Sequence, residues 1–234
     1  MCTVNFLPLG SNNFILTSSR DVPFARESAD APKTAIEEGV ELIYPKDGKA
    51  GGSWIGTSSK NRLICLLNGG YKNHEVKESY RKSRGIIVKD LLKSDVISEA
   101  LTQIDLDDIE PFTLVIVDWN DGLELFEFVW TGEKKHLINL PQVPHIWSSS
   151  TLYDEVIKKR RQDWFAQWQS GVNEYKQNNI IQFHKTAGDG NPETDVLMKR
   201  TKGGTVSITS ISRENSELHF IYEDMITEKI TVLN

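Results

Sequence analysis

Two short apolar segments on either side of a turn cluster open the chain, and this pattern constrains its fold most. Residues 3–7 and 14–17 are apolar enough for strands, and Gly, Ser and Asn residues fill positions 10–13 between them. Such a pattern predicts a β-hairpin. If the chain turns at residues 10–12, cross-strand partners have residue numbers that sum to 21–23.

This register predicts the surroundings of Cys2. Its partner on the second strand is then one of three consecutive residues, Ser19, Arg20 or Asp21. Opposed residues of an antiparallel pair have Cβ atoms about 4.5–5.5 Å apart. The hairpin therefore predicts a guanidinium and a carboxylate beside a thiol. The alternative is an exposed Arg–Asp ion pair at a strand end, which contributes little stability.

Cys2 directly follows Met1, and its small side chain permits removal of the initiator methionine. The new N-terminal residue then carries a thiol and a free α-amine. Their ordinary pKa values are about 8.5 and about 8, so both groups react near neutral pH. A nucleophile with its own base is the chemistry of N-terminal-nucleophile amidohydrolases. We expect Arg20 to favour the thiolate and Asp21 to orient the amine.

Three motifs in the first 60 residues belong together: Met-Cys-Thr at 1–3, Ser-Arg-Asp-Val at 19–22 and Gly-Gly-Ser-Trp-Ile-Gly at 51–56. With them the sequence resembles the NRDE family, also called the transport and Golgi organisation family. The Asn-Arg-Asp-Glu tetrapeptide of the family keeps only its central pair here. A strand at 63–68 ends on Asn68, as in the family.

The resemblance implies an α+β fold, a four-layer αββα sandwich of two antiparallel sheets, similar to penicillin V acylases and bile salt hydrolases. It also implies catalytic roles for four residues: Cys2, Arg20, Asp21 and Asn68. Cys2 is the implied nucleophile and Asn68 an implied donor to the oxyanion or the substrate amide. We predict one such domain over residues 1–234.

Two later positions depart from the family pattern. Ser149 stands where the family has a second asparagine, and the late arginine corresponds to Lys202 by spacing or to Arg200 two residues earlier. Removing one oxyanion-hole donor lowers the rate about 10²–10³-fold where this has been measured. These departures favour a non-catalytic alternative.

Composition excludes several classes of protein. The net charge is −6 over 234 residues, which argues against a nucleic-acid partner. No apolar stretch reaches 18 residues, so we expect no transmembrane helix, and we expect no signal peptide because a charged start and a continuous apolar core are missing. With two cysteines, one of them Cys65 within an apolar strand, the chain fits a reducing compartment, and we expect a cytoplasmic protein.

The remaining pattern predicts alternating strands and helices. Residues 25–50 have little periodicity and are interpreted as a loop-rich insert, whereas 79–104 is predicted to be helical with a break near 93–95. Apolar runs at 112–117, 123–130 and 136–140 predict a three-stranded meander. A closing run of strands is predicted at 205–208, 218–222 and 226–233.

The longest predicted helix spans residues 151–175. Its expected core-facing stripe consists of Val156, Trp164, Trp168, Val172 and Tyr175. The basic run at 158–161 is interpreted as a solvated face of this helix. Trp54 is expected in the core. The five histidines are too scattered for a structural zinc site.

Two functions remain open at this point. One is hydrolysis of an acyl amide through Cys2, which requires no cofactor. The other is binding or trafficking of haem or a lipid in the same pocket, as the family resemblance implies. The predicted partners are therefore a small-molecule amide, haem or a lipid.

Overall fold

A computed structural model describes residues 3–234. The chain divides into two compact units. The first contains the N-terminal residues up to Arg26 together with Val143–Asn234, and the second contains Glu27–Gln142. Cys2 lies outside the described residues. The prediction of a single domain over 1–234 stays a prediction.

The first unit is an antiparallel sheet with two helices. Its strands are β1 (Thr3–Gly10), β2 (Asn13–Pro23), β10 (His145–Ser148), β11 (Gly203–Glu214), β12 (Glu217–Asp224) and β13 (Ile230–Leu233). They pair in the order β10-β1-β2-β11-β12-β13. Its helices are α3 (Glu155–Ser170) and α4 (Gln177–Thr186). The N-terminal hairpin of β1 and β2 pairs with strands that are far away in sequence: β1 pairs with β10, and β2 pairs with β11.

The second unit is another antiparallel sheet, whose strands pair in chain order. They are β3 (Asp30–Glu37), β4 (Val40–Lys46), β5 (Ile55–Ser58), β6 (Arg62–Asn68), β7 (Phe112–Asp118), β8 (Glu124–Trp130) and β9 (Lys135–Leu140). Its helices are α1 (Arg84–Lys93) and α2 (Ile97–Gln103). The meander predicted from the three apolar runs is confirmed as β7, β8 and β9.

The hairpin register is confirmed. Thr3 pairs with Ser19, and the partners up to Pro8 and Phe14 all have numbers that sum to 22. Ser11 and Asn12 have positive φ angles of 48° and 64°, a conformation that suits a tight turn between twisted strands. The turn chemistry and the buried apolar residues of both strands therefore fix which residues face each other.

The loop-rich insert predicted for residues 25–50 is wrong, because β3 and β4 form a hairpin there. Most β3 side chains are exposed or half-buried, so this strand lacks the apolar alternation that reveals strands. A local signal was nevertheless present. Glu38 and Gly39 have φ angles of 53° and 80° and form a two-residue hairpin turn.

The helix predicted over residues 79–104 is confirmed in part. It begins only at Arg84, with Ser83 as its N-cap, and it is interrupted between Lys93 and Ile97 where the break was predicted. Arg62, fully buried on β6, fixes the end of α1. Its guanidinium pairs with Asp118 at 2.9 Å and donates to the carbonyls of Leu91 and Ser94. These donors satisfy carbonyls that the end of a helix leaves unpaired.

Two interpretations of the helix at 151–175 are wrong in part. Val156 is 67% exposed, and the helix ends at Ser170, before Val172 and Tyr175. Arg161, placed on the solvated face with the rest of the basic run, is fully buried. The rest of the stripe is confirmed, because Trp164, Trp168 and Tyr175 are partly buried and pack against an apolar core cluster. The buried residues of α3 are Arg161 and Phe165.

Candidate functional site at the end of the first hairpin

The site residues predicted on β2 lie next to the last described pair of the hairpin. Ser19 is paired with Thr3, and Arg20 and Asp21 follow it, each with no more than 3% of its surface exposed. Consecutive side chains of a strand point to opposite faces of the sheet. Ser19 and Asp21 therefore share one face, and Arg20 lies on the other.

Asp21 is held on the face covered by the helices. Its Oδ1 accepts a hydrogen bond from the hydroxyl of Thr205 at 2.5 Å, and its Oδ2 accepts one from the hydroxyl of Tyr153 at 3.0 Å. Thr205 in turn accepts the backbone N–H of Met198 at 3.0 Å. Two hydroxyls from distant parts of the chain thus fix the orientation of this carboxylate.

Tyr153 lies between the carboxylate and two cations. The guanidinium carbon of Arg161 is 3.7 Å from the ring centroid, and that of Arg200 is 5.7 Å away. The side chain of Lys202 is exposed, and its backbone carbonyl accepts the N–H of Phe24. Of the two candidates for the late arginine of the family, Arg200 thus contacts the tyrosine that donates to Asp21.

Ser19 contacts a buried histidine on the same face. Its Oγ lies 2.6 Å from Nδ1 of His184, which α4 carries and which is fully buried. Burial and, to a smaller extent, the positive charge of Arg161 together lower the pKa of His184 from 6.5 to about 3. The imidazole is therefore neutral at physiological pH.

Arg20 has different neighbours on the opposite face. It is paired with Ser207 of β11, whose other neighbour is Asp224 of β12. Tyr222 lies close enough to Arg20 for the charge of the guanidinium to affect the pKa of the tyrosine. Burial raises the pKa of Tyr222, and Asp224 adds to this rise, whereas Ser207 and Arg20 oppose it. The tyrosine therefore keeps its hydroxyl proton beside the guanidinium.

Ser149 is brought to the same end of the sheet. It directly follows Ser148, which pairs with Thr3 from the other side. Ser149 is buried, and its hydroxyl lies 3.0 Å from that of Thr151. The pairing of β1 with both neighbours therefore brings together three of the residues considered from sequence: Arg20, Asp21 and Ser149.

Asn68 belongs to the second unit. It is the last residue of β6, is half-buried and pairs with Phe112. Gly69 follows with a φ of 84° and donates its N–H to the carbonyl of Pro111. The strand thus ends in a fixed turn at Asn68, a position from which side chains commonly serve function.

The Gly-Gly-Ser-Trp-Ile-Gly motif has a packing role in the second unit. Ser53 donates its backbone N–H to the carbonyl of Gly85, the second residue of α1. A Cβ on Gly52 would lie 2.4 Å from the carbonyl carbon of Gly85, so only glycine permits this approach. Trp54 is buried, which confirms the expectation that it lies in the core.

Replacing Gly52 with alanine is expected to lower the free energy of unfolding by about 3 kcal/mol, because backbone atoms of α1 cannot rotate away from the new methyl group. Urea denaturation followed by circular dichroism measures the change. Gly171→Ala is the matched control, since φ is −97° there and the nearest atom is 3.6 Å from the added Cβ. Equal effects of both substitutions would contradict the proposed close contact.

Tyr153, Arg161, His184 and Thr205 were missed by the sequence reasoning. A signal existed only for Arg161, which falls on the same helical line as Ile157 and Phe165, four residues before and after it. The others come from loops, helices and strands that only the folded chain brings to β2. Neither a metal-binding cluster nor a helix long and apolar enough to cross a bilayer occurs in the described part of the chain.

The family model described as Transport and Golgi organisation 2 matches residues 1–218. The chain belongs to this family. Comparison with curated protein sequences finds none that matches. The family assignment confirms the resemblance seen in the three N-terminal motifs.

Solved structures share the fold of this family member. Penicillin V acylase from Agrobacterium tumefaciens superposes with a TM-score of 0.58 at 8% identity, over 100% of this chain and 86% of the acylase. A variant of conjugated bile acid hydrolase from Clostridium perfringens gives 0.57 at 11% identity, over 100% and 92%. The Caenorhabditis elegans ortholog of N-acylethanolamine-hydrolyzing acid amidase gives 0.62 at 11% identity, over 90% and 92%.

These superpositions confirm the predicted fold class. The family member is an α+β protein with two antiparallel sheets and helices, and its fold is that of the N-terminal-nucleophile hydrolases. The identities of 8–11% support the fold alone.

Proposed function

We propose that this protein hydrolyses the C–N bond of a small acyl amide, with Cys2 as an N-terminal nucleophile after removal of Met1. The observation that carries the proposal is the register of β1 and β2, which pairs Thr3 with Ser19. Cys2 is bonded to Thr3, and consecutive Cα atoms are about 3.8 Å apart. If the antiparallel register continues by one residue, Cys2 pairs with Arg20.

The charges around this strand end suit the proposed chemistry. Arg20 is buried, and a guanidinium near a thiol lowers the thiol pKa and favours the thiolate. Asp21, which two hydroxyls hold in place, supplies a negative charge for an α-ammonium group. Both effects would be weaker for exposed side chains, because water screens exposed charges.

In the proposed reaction the thiol gives its proton to the α-amine, and the sulfur forms a bond to the carbonyl carbon of the amide. Backbone N–H groups stabilise the oxyanion, and the donor role that the family resemblance implies for Asn68 stays a prediction. The C–N bond then breaks as the α-ammonium protonates the leaving nitrogen. Water then forms a bond to the thioester carbon and gives one proton to the α-amine. The C–S bond breaks, the carboxylic acid leaves, and the α-ammonium returns this proton to the sulfur, which regenerates the thiol and the amine. Atoms and charges balance without a cofactor.

The first test is the mass of the purified protein together with its reaction with amides. We expect Met1 to be absent and at least one amide to be turned over. The substrate panel follows the proteins that share the fold: penicillin V, a conjugated bile acid and an N-acylethanolamine. Retention of Met1 in the whole preparation, with no turnover and no acylation of Cys2 by an activated acyl ester, would refute the proposal. Binding of haem or a lipid stays a prediction, which titration of the purified protein with each would test.

A further inference from the structure

Arg161 is a fully buried cation in the first unit, and it contacts residues next to Cys2 and next to Asp21. One of its Nη atoms donates to the hydroxyl of Thr3. The other donates to the carbonyls of Thr194, at 3.0 Å, and Asp195, at 2.6 Å. Its guanidinium also lies over the ring of Tyr153. All of these partners are neutral groups.

These contacts account for how a buried cation is tolerated on α3. The negative face of the aromatic ring attracts a desolvated cation, and carbonyl oxygens replace the hydrogen bonds that water would give. The planar fork of arginine can satisfy several acceptors at once, which the ammonium of lysine does less well. The arrangement holds Thr3, the ring of Tyr153 and the loop at 194–195 in one geometry.

Arg161 contacts the candidate site through two residues, Thr3 and Tyr153. Thr3 is bonded to Cys2. Tyr153 donates its hydroxyl to Asp21. Arg161 therefore links the strand that begins beside the nucleophile to the carboxylate proposed to orient the α-amine. Its guanidinium lies on the face of the sheet covered by the helices, opposite to Arg20.

We infer that Arg161 is a positioning residue, which fixes Thr3 relative to Asp21 and thereby sets the place of the N-terminal nucleophile. The inference rests on the proposed function, because it assigns a role at the same site. Arg161 acts through Thr3 and Tyr153 rather than on the substrate. Misplacement of reacting groups by about 1 Å can lower a rate about 10²-fold, so a residue with this role has a large effect on turnover.

Three variants test the inference. Arg161→Met removes the charge and the donors at similar length, and Arg161→Lys keeps the charge but has a single donor nitrogen. Arg160→Met is the matched control, because Arg160 is the preceding residue of α3, is partly exposed and pairs with Asp189. For each protein we would measure kcat and KM, the rate of iodoacetamide alkylation of Cys2, and hydrogen exchange of the amides of residues 3–6.

The chain provides an internal control for folding. It has two cysteines, and Cys65 is fully buried on β6. Mass spectrometry separates the alkylation of the two. Unfolding exposes both thiols, whereas a displaced N-terminal strand changes the reactivity of Cys2 alone. Slow alkylation of Cys65 therefore identifies the variants that remain folded.

We expect Arg161→Met to lower kcat about 10²-fold with little change in KM, to change the alkylation rate of Cys2 about tenfold, and to accelerate exchange at residues 3–6. Arg161→Lys should recover part of each loss. If Arg161 only filled space, the lysine and methionine variants would behave alike. Arg160→Met should behave as wild type. A folded Arg161→Met protein with wild-type values in all three measurements would overturn the inference.

If Arg161→Met does not fold, Thr3→Val removes the hydroxyl that receives the Arg161 donor and keeps the shape of the side chain. The same changes are expected at smaller size, and their absence would again overturn the inference. Alkylation and exchange need no turnover. Should the amide substrates fail, these two measurements still decide the role of Arg161, so failure of the proposed function and failure of this inference are distinguishable.

Discussion

Replacing Cys2 with alanine is expected to reduce hydrolysis of a reactive acyl amide by about 10⁴-fold or more, because removal of a covalent nucleophile leaves only binding and oxyanion stabilisation. The alanine variant keeps a small residue at position 2, so Met1 is still removed and the α-amine persists. The loss is therefore assigned to the sulfur. Steady-state turnover of the best amide in the panel, with the N-terminal mass of each preparation, measures it.

Cys65→Ser is the matched control for this experiment. Cys65 is the other cysteine and is buried in the second unit, between Ile55 of β5 and Val115 of β7. The serine variant should retain the wild-type rate if it folds. A Cys2→Ala protein that hydrolyses the same amide at the wild-type rate would show that another group performs the reaction.

Local chemistry made the first hairpin predictable from sequence. The turn residues at 10–13 permit positive φ angles and the flanking segments are apolar, so the position of the turn limits the pair sums to 21–23. The pairing of Thr3 with Ser19, with a sum of 22, lies within this range. The same reasoning found the β7–β9 meander, in which turn residues also separate apolar runs.

The sequence did not predict strand β3 or the burial of Arg161, because neither follows the usual pattern of buried apolar and exposed polar residues. Strand β3 is largely exposed, with Ile36 at 76%, so burial gave its sequence no alternation to recognise. Arg161 was assigned to solvent because arginine is rarely fully buried without an anion. In the fold its charge is compensated by Thr3, two carbonyls and the ring of Tyr153, which come from segments distant in sequence.

The candidate site was therefore predictable only along β1 and β2. Arg20 and Asp21 were found because they follow Ser19 on a strand whose register the turn fixes. Their partners were not found, since Tyr153 and Thr205 lie more than 130 residues away and reach Asp21 through the pairing of β2 with β11 and the position of α3. Sequence alone identifies neighbours across one turn, whereas these contacts depend on the whole sheet.

Acid is expected to destabilise this protein partly through His184. Its pKa is about 3 in the folded protein, because burial and then Arg161 disfavour the imidazolium, against 6.5 in the unfolded chain. The unfolded chain therefore binds one more proton between these values. Stability attributable to this group is complete above pH 6.5, falls as the pH falls, and is lost by about pH 3. The loss approaches about 5 kcal/mol, with a slope of up to about 1.4 kcal/mol per pH unit.

Urea denaturation at a series of pH values measures this contribution when wild type is compared with His184→Asn, whose amide cannot gain a proton. We expect the variant to be less stable at neutral pH and to lose stability less steeply below pH 6.5, so that the two curves converge toward acid. Ser19→Ala is the control, since it removes the partner at 2.6 Å but leaves the histidine. That variant should keep the steep wild-type slope. Parallel curves for wild type and His184→Asn would mean that the imidazole accepts its proton within the folded protein, and the buried network around Ser19 would then have to open before the chain unfolds.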